Sequence, residues 1–263
     1  MMKNLRIVLK LIKIKIMKQM MYREMFIGGI WVNLSLLIVQ LIFFRVLYSN
    51  FQNIGDWNKY EMIFFMGTYM LISNIGVMLF YLGLNSIPAF VRSGRLDYYI
   101  TKPCNPVVFI GFCGFDFSSV PMVLISTLII IYAAIMSNID FNMTRILAYI
   151  ITIIIMEILY FELIFIIRCF AFFFIDISGL LNFEWTLNEL TMKIPGNLFT
   201  GWLKIFLCTI IPYGIIATVP SEAFFNKFDF NKAVYILVIT LVFSILSYLI
   251  WKIALRHYSS SNG

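Results

Sequence analysis

The sequence predicts an all-α polytopic membrane protein with six transmembrane helices and an N-terminal amphipathic helix at the membrane interface. Of its 263 residues, 62% are hydrophobic and 13% are charged, whereas soluble domains are about 45–50% apolar and about 25% charged. The mean hydropathy is +0.92, and apolar runs long enough to cross a hydrocarbon core of roughly 30 Å recur several times. These observations exclude an ordinary soluble domain.

The first 25 residues hold much of the excess positive charge of a chain whose formal net charge is +7. Basic residues beside a membrane span bind anionic lipid and set topology, so membrane lipids are expected partners and nucleic acid is not. At 100° per residue, cations and aliphatic residues fall on opposite sides of a helix, which predicts an interfacial helix over residues 1–25. The predicted membrane-surface residues are Lys3, Arg6, Lys10 and Lys13.

Two lysines interrupt this charged stripe. Lys15 and Lys18 lie off the cationic side, so we expect the helix to be irregular or to turn near them. The alternative for residues 1–25 is a disordered basic tail that only sets topology.

The remainder of the chain, residues 26–263, is predicted to be a single transmembrane domain. Neither a metal site nor a catalytic residue is expected, because the four cysteines have no Cys-x-x-Cys spacing and His257, the one histidine, has no ligand-spaced neighbour. The apolar runs that predict spans cover residues 26–48, 61–82, 107–137, 146–175 and 232–251.

The third apolar run is longer than one straight crossing needs. Asp116 and a proline lie inside it, which predicts a kinked or tilted helix that starts below the membrane plane. Gly111, Gly114 and Ser118 are spaced three and four apart, so small residues share one face and permit close approach of another helix.

Several charges lie inside the fourth run. Glu157 and Glu162 are five residues apart and so about 140° apart around a helix, which argues against a carboxylate pair acting as a proton relay. Ionisable groups in spans normally face protein or water. Structural pairing is therefore expected, for example of Glu162 or Asp176 with Arg168 or with a partner subunit.

The distribution of basic residues orients the chain. Residues 1–25, 86–106 and 252–263 carry twelve Lys and Arg, against five in the opposing short segments. The positive-inside rule therefore places both termini and residues 86–106 in the cytoplasm. Termini on the same side require an even number of crossings, and six fits. The fifth crossing is either 170–190, which is polar, or 198–219, which prolines interrupt.

Residues 86–106, which we call the 86–106 segment, form the one sizeable polar stretch after the second span. A short helix is predicted from Pro88, with Gly94 ending it in the left-handed conformation. Pro103 and Pro106 are expected to fix the entry into the third span. The alternative is a basic loop that only maintains topology.

Three stretches carry a resemblance to a known family. VRSGRLDYYITKPCNP resembles the R-x-G-x-L-D-x-x-L-x-x-P-x-N-P stretch of one bacterial branch of exporter-type permeases of ATP-binding cassette (ABC) transporters. KIPGNLF and IIPYGIIATVPSEAFF are similar to a later stretch of that branch, and WKIALRHYS resembles its C-terminus. Ile100 and Ile194 depart from the family pattern, where Leu and Tyr stand, without changing the chemistry.

The resemblance implies a permease subunit of an ABC exporter in the bacterial cytoplasmic membrane, forming half of a translocation pathway. No G-x-x-x-x-G-K-[ST] motif occurs in the sequence, so ATP and Mg²⁺ are expected on separate nucleotide-binding ATPase subunits. A second permease, identical or a sister subunit, would complete the pathway. The alternatives are a channel or scaffold subunit not driven by ATP and, less favoured by the motifs, a membrane-embedded enzyme.

The resemblance also assigns roles to two segments. The 86–106 segment would transmit closure of the ATPase, with aromatic and aliphatic anchors and with charges that set register. Residues 194–220 would re-enter the membrane before the last span and pack against protein rather than lipid, which would make 170–190 the fifth crossing. The ATPase-coupling residues implied are Phe90, Arg92, Gly94, Arg95, Leu96, Asp97, Tyr98, Tyr99, Pro103 and Pro106, and those of the re-entrant segment are Pro195, Gly196, Pro212 and Pro220.

Overall fold

Nearly all of the structure is helical. The structure, a computed structural model, describes residues 2–21, 24, 27–32, 34–35, 38–39, 42, 46, 53–102, 105–139 and 142–258. The first predicted span, 26–48, lies largely outside these ranges, and its described positions are helical. Within the described residues, the helices long and apolar enough to cross a membrane are Lys59–Arg92, Phe117–Met136, Met143–Phe172 and Phe230–His257.

The N-terminal helix α1 spans Met2–Met21 without a break. The predicted irregularity near Lys15 and Lys18 is therefore wrong. A helix tolerates lysine at any exposed or half-buried position because its long apolar stem packs while the ammonium reaches a polar environment.

A small β-hairpin precedes the second span, so the polar loop predicted there contains two short strands. β1 (Asn53–Ile54) pairs antiparallel with β2 (Trp57–Asn58), and Gly55 takes a φ of 59° at the turn. Asn58 then caps α2, accepting hydrogen bonds from the backbone of Tyr60 and Glu61.

The helix that begins there is longer than predicted. α2 (Lys59–Gly76) continues through a π-helical turn, Val77–Tyr81, into α3 (Leu82–Leu84). A short kink at residues 85–86 is all that separates α3 from α4 (Ile87–Arg92). The 86–106 segment contains α4 and, after it, α5 (Leu96–Ile100). The second span and this segment are thus nearly one continuous element.

The third span is broken, as its length predicted. α6 (Pro106–Cys113) is followed by a 3₁₀ turn at Phe117–Ser119 and then by α7 (Val120–Met136). The break at Gly114 lets the chain approach α3 closely, because a Cβ on Gly114 would lie 1.9 Å from the backbone nitrogen of Gly83. Of the small residues predicted to permit close approach, Gly114 is the one that this contact requires, since a Cβ on Gly111 would lie at an ordinary 3.6 Å from Phe80.

Two further helices follow. α8 (Met143–Cys169) ends in a 3₁₀ turn at Phe170–Phe172 and packs against α2. α9 (Ser178–Lys193) also contacts α2 and buries only Glu184, Leu187 and Thr191. α9 lacks the hydropathy of the other long helices because it carries Glu184 and Glu189.

A sharply bent segment follows α9. A 3₁₀ turn at Gly196–Leu198 leads into a helical run, Gly201–Ile210, made of α10 (Gly201–Ile205) and a π-helical turn. A second run, Tyr213–Phe224, contains α11 (Thr218–Phe224). The two runs are bent by 86° at the break between them.

The last helix, α12 (Phe230–His257), packs along α8. The largest group of buried apolar residues lies between α8, α11, α12 and the C-terminal half of the second span. Two smaller clusters lie nearer the β-hairpin, one around Trp57 and one around Phe64.

Candidate functional site

The backbone of the 86–106 segment matches its predicted conformation. α4 has Pro88 in its first turn, where the missing N–H of proline costs nothing. Gly94 follows the helix with a φ of 67°, the left-handed region that glycine adopts without steric cost. The chain then turns into α5, so the segment consists of two short helices joined at Gly94.

One side of the segment is fixed in the protein core. The side chains of Ile87 and Leu96 are fully buried, at 0% exposed, in the cluster that also contains Leu163 and Trp251. Leu96 therefore cannot serve as an apolar anchor on a partner surface, and that part of the interpretation is corrected. Its burial instead fixes the segment rigidly to the bundle.

Aromatic rings stiffen the segment from within. Phe90 in α4 stacks on Tyr99 in α5 with ring centroids 4.5 Å apart, and Tyr99 also contacts Phe109 of α6. Burial raises the pKa of the Tyr99 hydroxyl above its ordinary value. Tyr98 meets Tyr99 edge to face at 5.4 Å. Phe90 and Tyr99 thus tie the two short helices to each other and to the third span.

The opposite side of the segment is exposed and cationic. Tyr98 is 58% exposed, and the Lys102 ammonium lies 3.9 Å from the centroid of its ring. Arg92 and Arg95 are also exposed. The Arg95 guanidinium lies 5.5 Å from the Phe90 ring and its Nε donates to Ser93 Oγ at 3.1 Å. An aromatic side chain among fixed cations is a surface that suits protein recognition.

The remaining predicted coupling residues flank this surface. Asp97 is half-buried in the first turn of α5, where a carboxylate suits the helix dipole. Pro106 is in the first turn of α6, which Asn105 caps by accepting from the Val107 and Val108 backbone. Pro103 lies outside the described residues.

The segment packs against the ends of two other helices. α4 contacts the 3₁₀ turn after α8, where the Phe172 ring meets those of Trp251 and Tyr258 at the end of α12. Asp176, in the following loop, accepts hydrogen bonds from the backbone N–H and hydroxyl of Ser178, which together with the charge of Arg92 lower its pKa. The 86–106 segment therefore contacts the end of α8, which the Phe172 ring joins to the end of α12.

A buried ion pair lies beside this contact. Arg168, near the end of α8, pairs with Glu184 of α9, and each side chain is 2% exposed. The Arg168 Nε also donates to Asn85 Oδ1 at 2.8 Å, next to the start of the 86–106 segment. Among the described residues, Arg168 pairs with Glu184 rather than with the predicted Glu162 or Asp176, and the exposed Asp176 is bonded to Ser178. The sequence signal that could have identified Glu184 is an acid in the stretch that directly follows the fourth apolar run, whose one arginine is Arg168.

The four predicted residues of the re-entrant segment are buried, whereas most of the run Gly201–Ile210 is exposed or half-buried. Pro195 begins the segment and precedes the 3₁₀ turn, in which Gly196 donates its backbone N–H to Thr218 Oγ1 at 2.7 Å. Pro212 lies at the 86° break and Pro220 lies in α11, both buried. A Cβ on Gly196 would come within 2.3 Å of the Gly214 carbonyl oxygen, so the 3₁₀ turn before the first run contacts the second run through its backbone.

A polar cluster holds the same segment at the opposite end of the bundle from the 86–106 segment. Glu222 in α11 is 5% exposed and accepts from Lys232 Nζ at 2.7 Å and Asn197 Nδ2 at 3.1 Å. Lys227 Nζ lies 2.9 Å from Glu61 Oε2 at the start of α2. Indole Nε1 of Trp57 donates to Asn197 Oδ1 at 3.0 Å. Sequence reasoning did not identify this cluster, because its members are distant along the chain.

The predicted membrane-surface residues all lie in α1. The side chains of Lys10 and Lys13 are exposed, while Ile12 and Ile16 are half-buried. The structure describes the backbone of Lys3 and Arg6 but not their side chains. Ile14 is 61% exposed and Lys15 is half-buried, so the described side chains are only partly sorted by type.

Comparison with known proteins identifies one family. The family model of the ABC-2 family transporter proteins matches residues 34–262, which is most of the chain and includes the 86–106 segment and the bent segment. No curated protein and no solved structure matches the chain significantly.

Proposed function

The chain belongs to the ABC-2 family of transporter proteins, and we propose that it is the permease subunit of an exporter driven through its 86–106 segment. Family membership makes it a multi-pass membrane component of an ABC transporter that pairs with an ATP-binding subunit. The observation that carries the proposal is the rigid, cationic and aromatic surface of the 86–106 segment, which faces away from the bundle while its inner side is embedded in it.

The proposed topology has six crossings and both termini in the cytoplasm of a bacterial cell membrane. Contacts support a crossing by α9. Its first half lies beside Arg168, next to the 86–106 segment, through Glu184, and the turn after its end lies beside Trp57 through Asn197. A helix of 16 residues rises about 24 Å. α9 therefore joins the two ends of the bundle, and the ion pair accounts for a polar helix at that position.

On this topology, residues 194–220 are the re-entrant segment. The chain bends by 86° between its two runs, and Glu222 after the bend accepts a hydrogen bond from Asn197 before it, so both ends of the segment lie at the same end of the bundle. The burial of Tyr213–Phe224 meets the requirement that irregular backbone at membrane depth be covered by protein.

The exposed face of α9 favours a second permease as partner. This face carries Asn182, Thr186 and Glu189 together with Trp185, which is 67% exposed. Polar side chains in a span are costly in lipid and face protein or a water-filled path. A second subunit, identical or a sister, placed against α9 would enclose a pathway between the two halves.

The decisive experiment is binding of the purified chain to its ATP-binding subunit. Tyr98→Ala and Arg95→Glu alter exposed residues of the proposed surface, and each is expected to weaken the complex by about tenfold or more, as for interface hot spots. Lys252→Glu, which changes an exposed lysine at the same end of the bundle, serves as the control and should bind normally. Equal binding by all three variants would remove the proposed contact.

The topology has its own test. A cysteine at Ser93 should react with a membrane-impermeant thiol reagent only from the cytoplasmic side, and one at Phe230, which is 81% exposed, only from outside. A cysteine at Glu189 that reacted only from the cytoplasm would contradict the crossing by α9.

A further inference from the structure

A groove of about 530 Å³ separates α1 from the 86–106 segment. Lys15 and Gln19 line it from α1, and the rings of Phe90 and Tyr99 line it from the 86–106 segment. These are the two rings that stack on each other to join α4 to α5. Any occupant of the groove would therefore contact both the surface helix and the segment proposed to drive transport.

The groove presents a cation. Lys15 is half-buried and faces the groove, whereas Lys10 and Lys13 are exposed on the other side of α1. The structure shows no ion pair between Lys15 and an acid among the residues it describes. The sequence predicts an irregular helix because Lys15 lies off the cationic side of α1. In the structure, that position instead brings Lys15 to the wall of the groove.

The acid that lines the groove has other partners. Asp116 is 8% exposed, and its Oδ1 accepts from Gln19 Nε2 at 2.6 Å and from Ser118 Oγ at 2.7 Å. Its Oδ2 accepts from Ser119 Oγ at 3.1 Å. Gln19 Oε1 in turn accepts from the Phe117 backbone at 2.8 Å. Asp116 thus caps the turn before α7 and anchors α1, and its lone pairs are already used.

The remaining wall is mixed, with Ser86 and Ser118 beside apolar residues. Leu82, Ile110 and Phe115 line the groove from α3 and from the region of α6, and Leu82 remains 43% exposed at its edge. A cation beside an apolar wall that opens outward suits an anion with a hydrocarbon chain better than a soluble anion. The groove also lies under a helix with the amphipathic pattern of the membrane interface.

We propose that this groove binds the headgroup of an acidic phospholipid, with the phosphate at Lys15 and the acyl chains leaving past Leu82. The bound lipid braces Phe90 and Tyr99 against α1, so the acidic lipid content of the membrane regulates how firmly the 86–106 segment is held. That regulatory consequence rests on the proposed function, whereas the binding itself does not.

The thiol of Cys113, which lines the groove, provides the test. The full chain is purified in neutral detergent, and alkylation of Cys113 by N-ethylmaleimide is followed by peptide mass spectrometry during titration with phosphatidylglycerol or phosphatidylcholine. Phosphatidylglycerol is expected to slow alkylation of Cys113 and phosphatidylcholine is not. Cys208, which lies outside the groove and contacts Gly196, gives the internal reference.

The variants assign the effect to Lys15. Lys15→Gln is expected to raise the phosphatidylglycerol concentration for half-protection about fivefold, as for loss of one lysine near an anionic lipid surface. Lys252→Gln should leave it unchanged. Equal protection by phosphatidylcholine or by inorganic phosphate, or an unchanged titration in Lys15→Gln, would overturn the proposal. No ATP-binding subunit is present, so this result is independent of the test of the proposed function.

Discussion

Arg168 in α8 and Glu184 in α9 form an ion pair in which each side chain is 2% exposed. The pair lies where α9 passes the end of α8, and Asn85 accepts a further hydrogen bond from the same guanidinium. A lone buried charge would be costly in this environment, whereas a paired and hydrogen-bonded one is tolerated. The pair therefore lets a helix with several polar residues pack inside an otherwise apolar bundle.

Removal of one member of this pair is predicted to destabilise the protein severely. Arg168→Met leaves the Glu184 carboxylate buried without its counter-charge, at an expected cost of about 3–5 kcal/mol. The double variant Arg168→Met/Glu184→Met removes both charges and should recover much of that loss. Thermal unfolding of the purified variants in detergent measures both. A double variant no more stable than Arg168→Met would show that the charges are not coupled.

The conformation of Gly94 predicts a second effect. At a φ of 67°, a β-branched side chain is strained, and Gly94→Val is expected to cost about 1–2 kcal/mol. The strain falls on the joint between α4 and α5, so ATP hydrolysis by the assembled complex should lose its response to the permease while membrane insertion persists. Gly179→Val is the matched control, because a Cβ there meets nothing within 4 Å. Normal coupling in Gly94→Val would reduce the segment to a simple loop.

The contact between the second and third spans predicts a third effect. A Cβ on Gly83 would lie 2.2 Å from the carbonyl oxygens of Ile110 and Gly111. Backbone cannot move aside as a flexible side chain does, so Gly83→Ala is expected to destabilise by about 1–3 kcal/mol. At the same crossing, Gly111→Ala would place its Cβ at an ordinary 3.6 Å from Phe80 and should be tolerated. Thermal unfolding compares the two, and equal melting temperatures would contradict the close approach.

The polar cluster at the other end of the bundle predicts a fourth effect. Glu222→Gln removes the charge that Lys232 and Asn197 contact, and losing hydrogen bonds to a charged group costs about 1.5–3 kcal/mol. Glu189→Gln instead breaks the exposed pair with Lys193, which is worth about 0.3–0.5 kcal/mol. Hydrogen exchange of residues 195–224 should rise in the first variant and stay unchanged in the second. The reverse order would show that Glu222 does not hold the bent segment.

Much of the local structure follows from the sequence because its causes are local. Pro88 and Gly94 specify a short helix and its left-handed end through their own backbone preferences, and both are found as predicted. The break in the third span follows from its excess length, together with the capping chemistry of Asp116. Apolar runs predicted the spanning helices, although their ends extend further, since a helix continues past the hydrocarbon region wherever its residues remain packed.

Tertiary structure decided which of those residues face a partner and which face the core. Sequence alone gave Leu96 and Tyr98 the same role, that of an anchor on a partner surface. In the structure Leu96 is fully buried, whereas Tyr98 is 58% exposed. The choice between the two candidates for the fifth crossing also depended on tertiary contacts. Hydropathy favours residues 198–219, whereas the ion pair of Glu184 supports α9. Burial and charge pairing depend on residues far apart along the chain, which no local pattern records.

The sequence by itself therefore determined the membrane class and the resemblance to ABC permeases, since composition and short motifs express these directly. Only the tertiary structure brought Arg168 to Glu184, set Lys15 opposite the 86–106 segment and bent residues 201–224 by 86°. Each of these depends on the packing of helices distant in sequence, where the cost of burying an unpartnered charge or backbone group selects one arrangement.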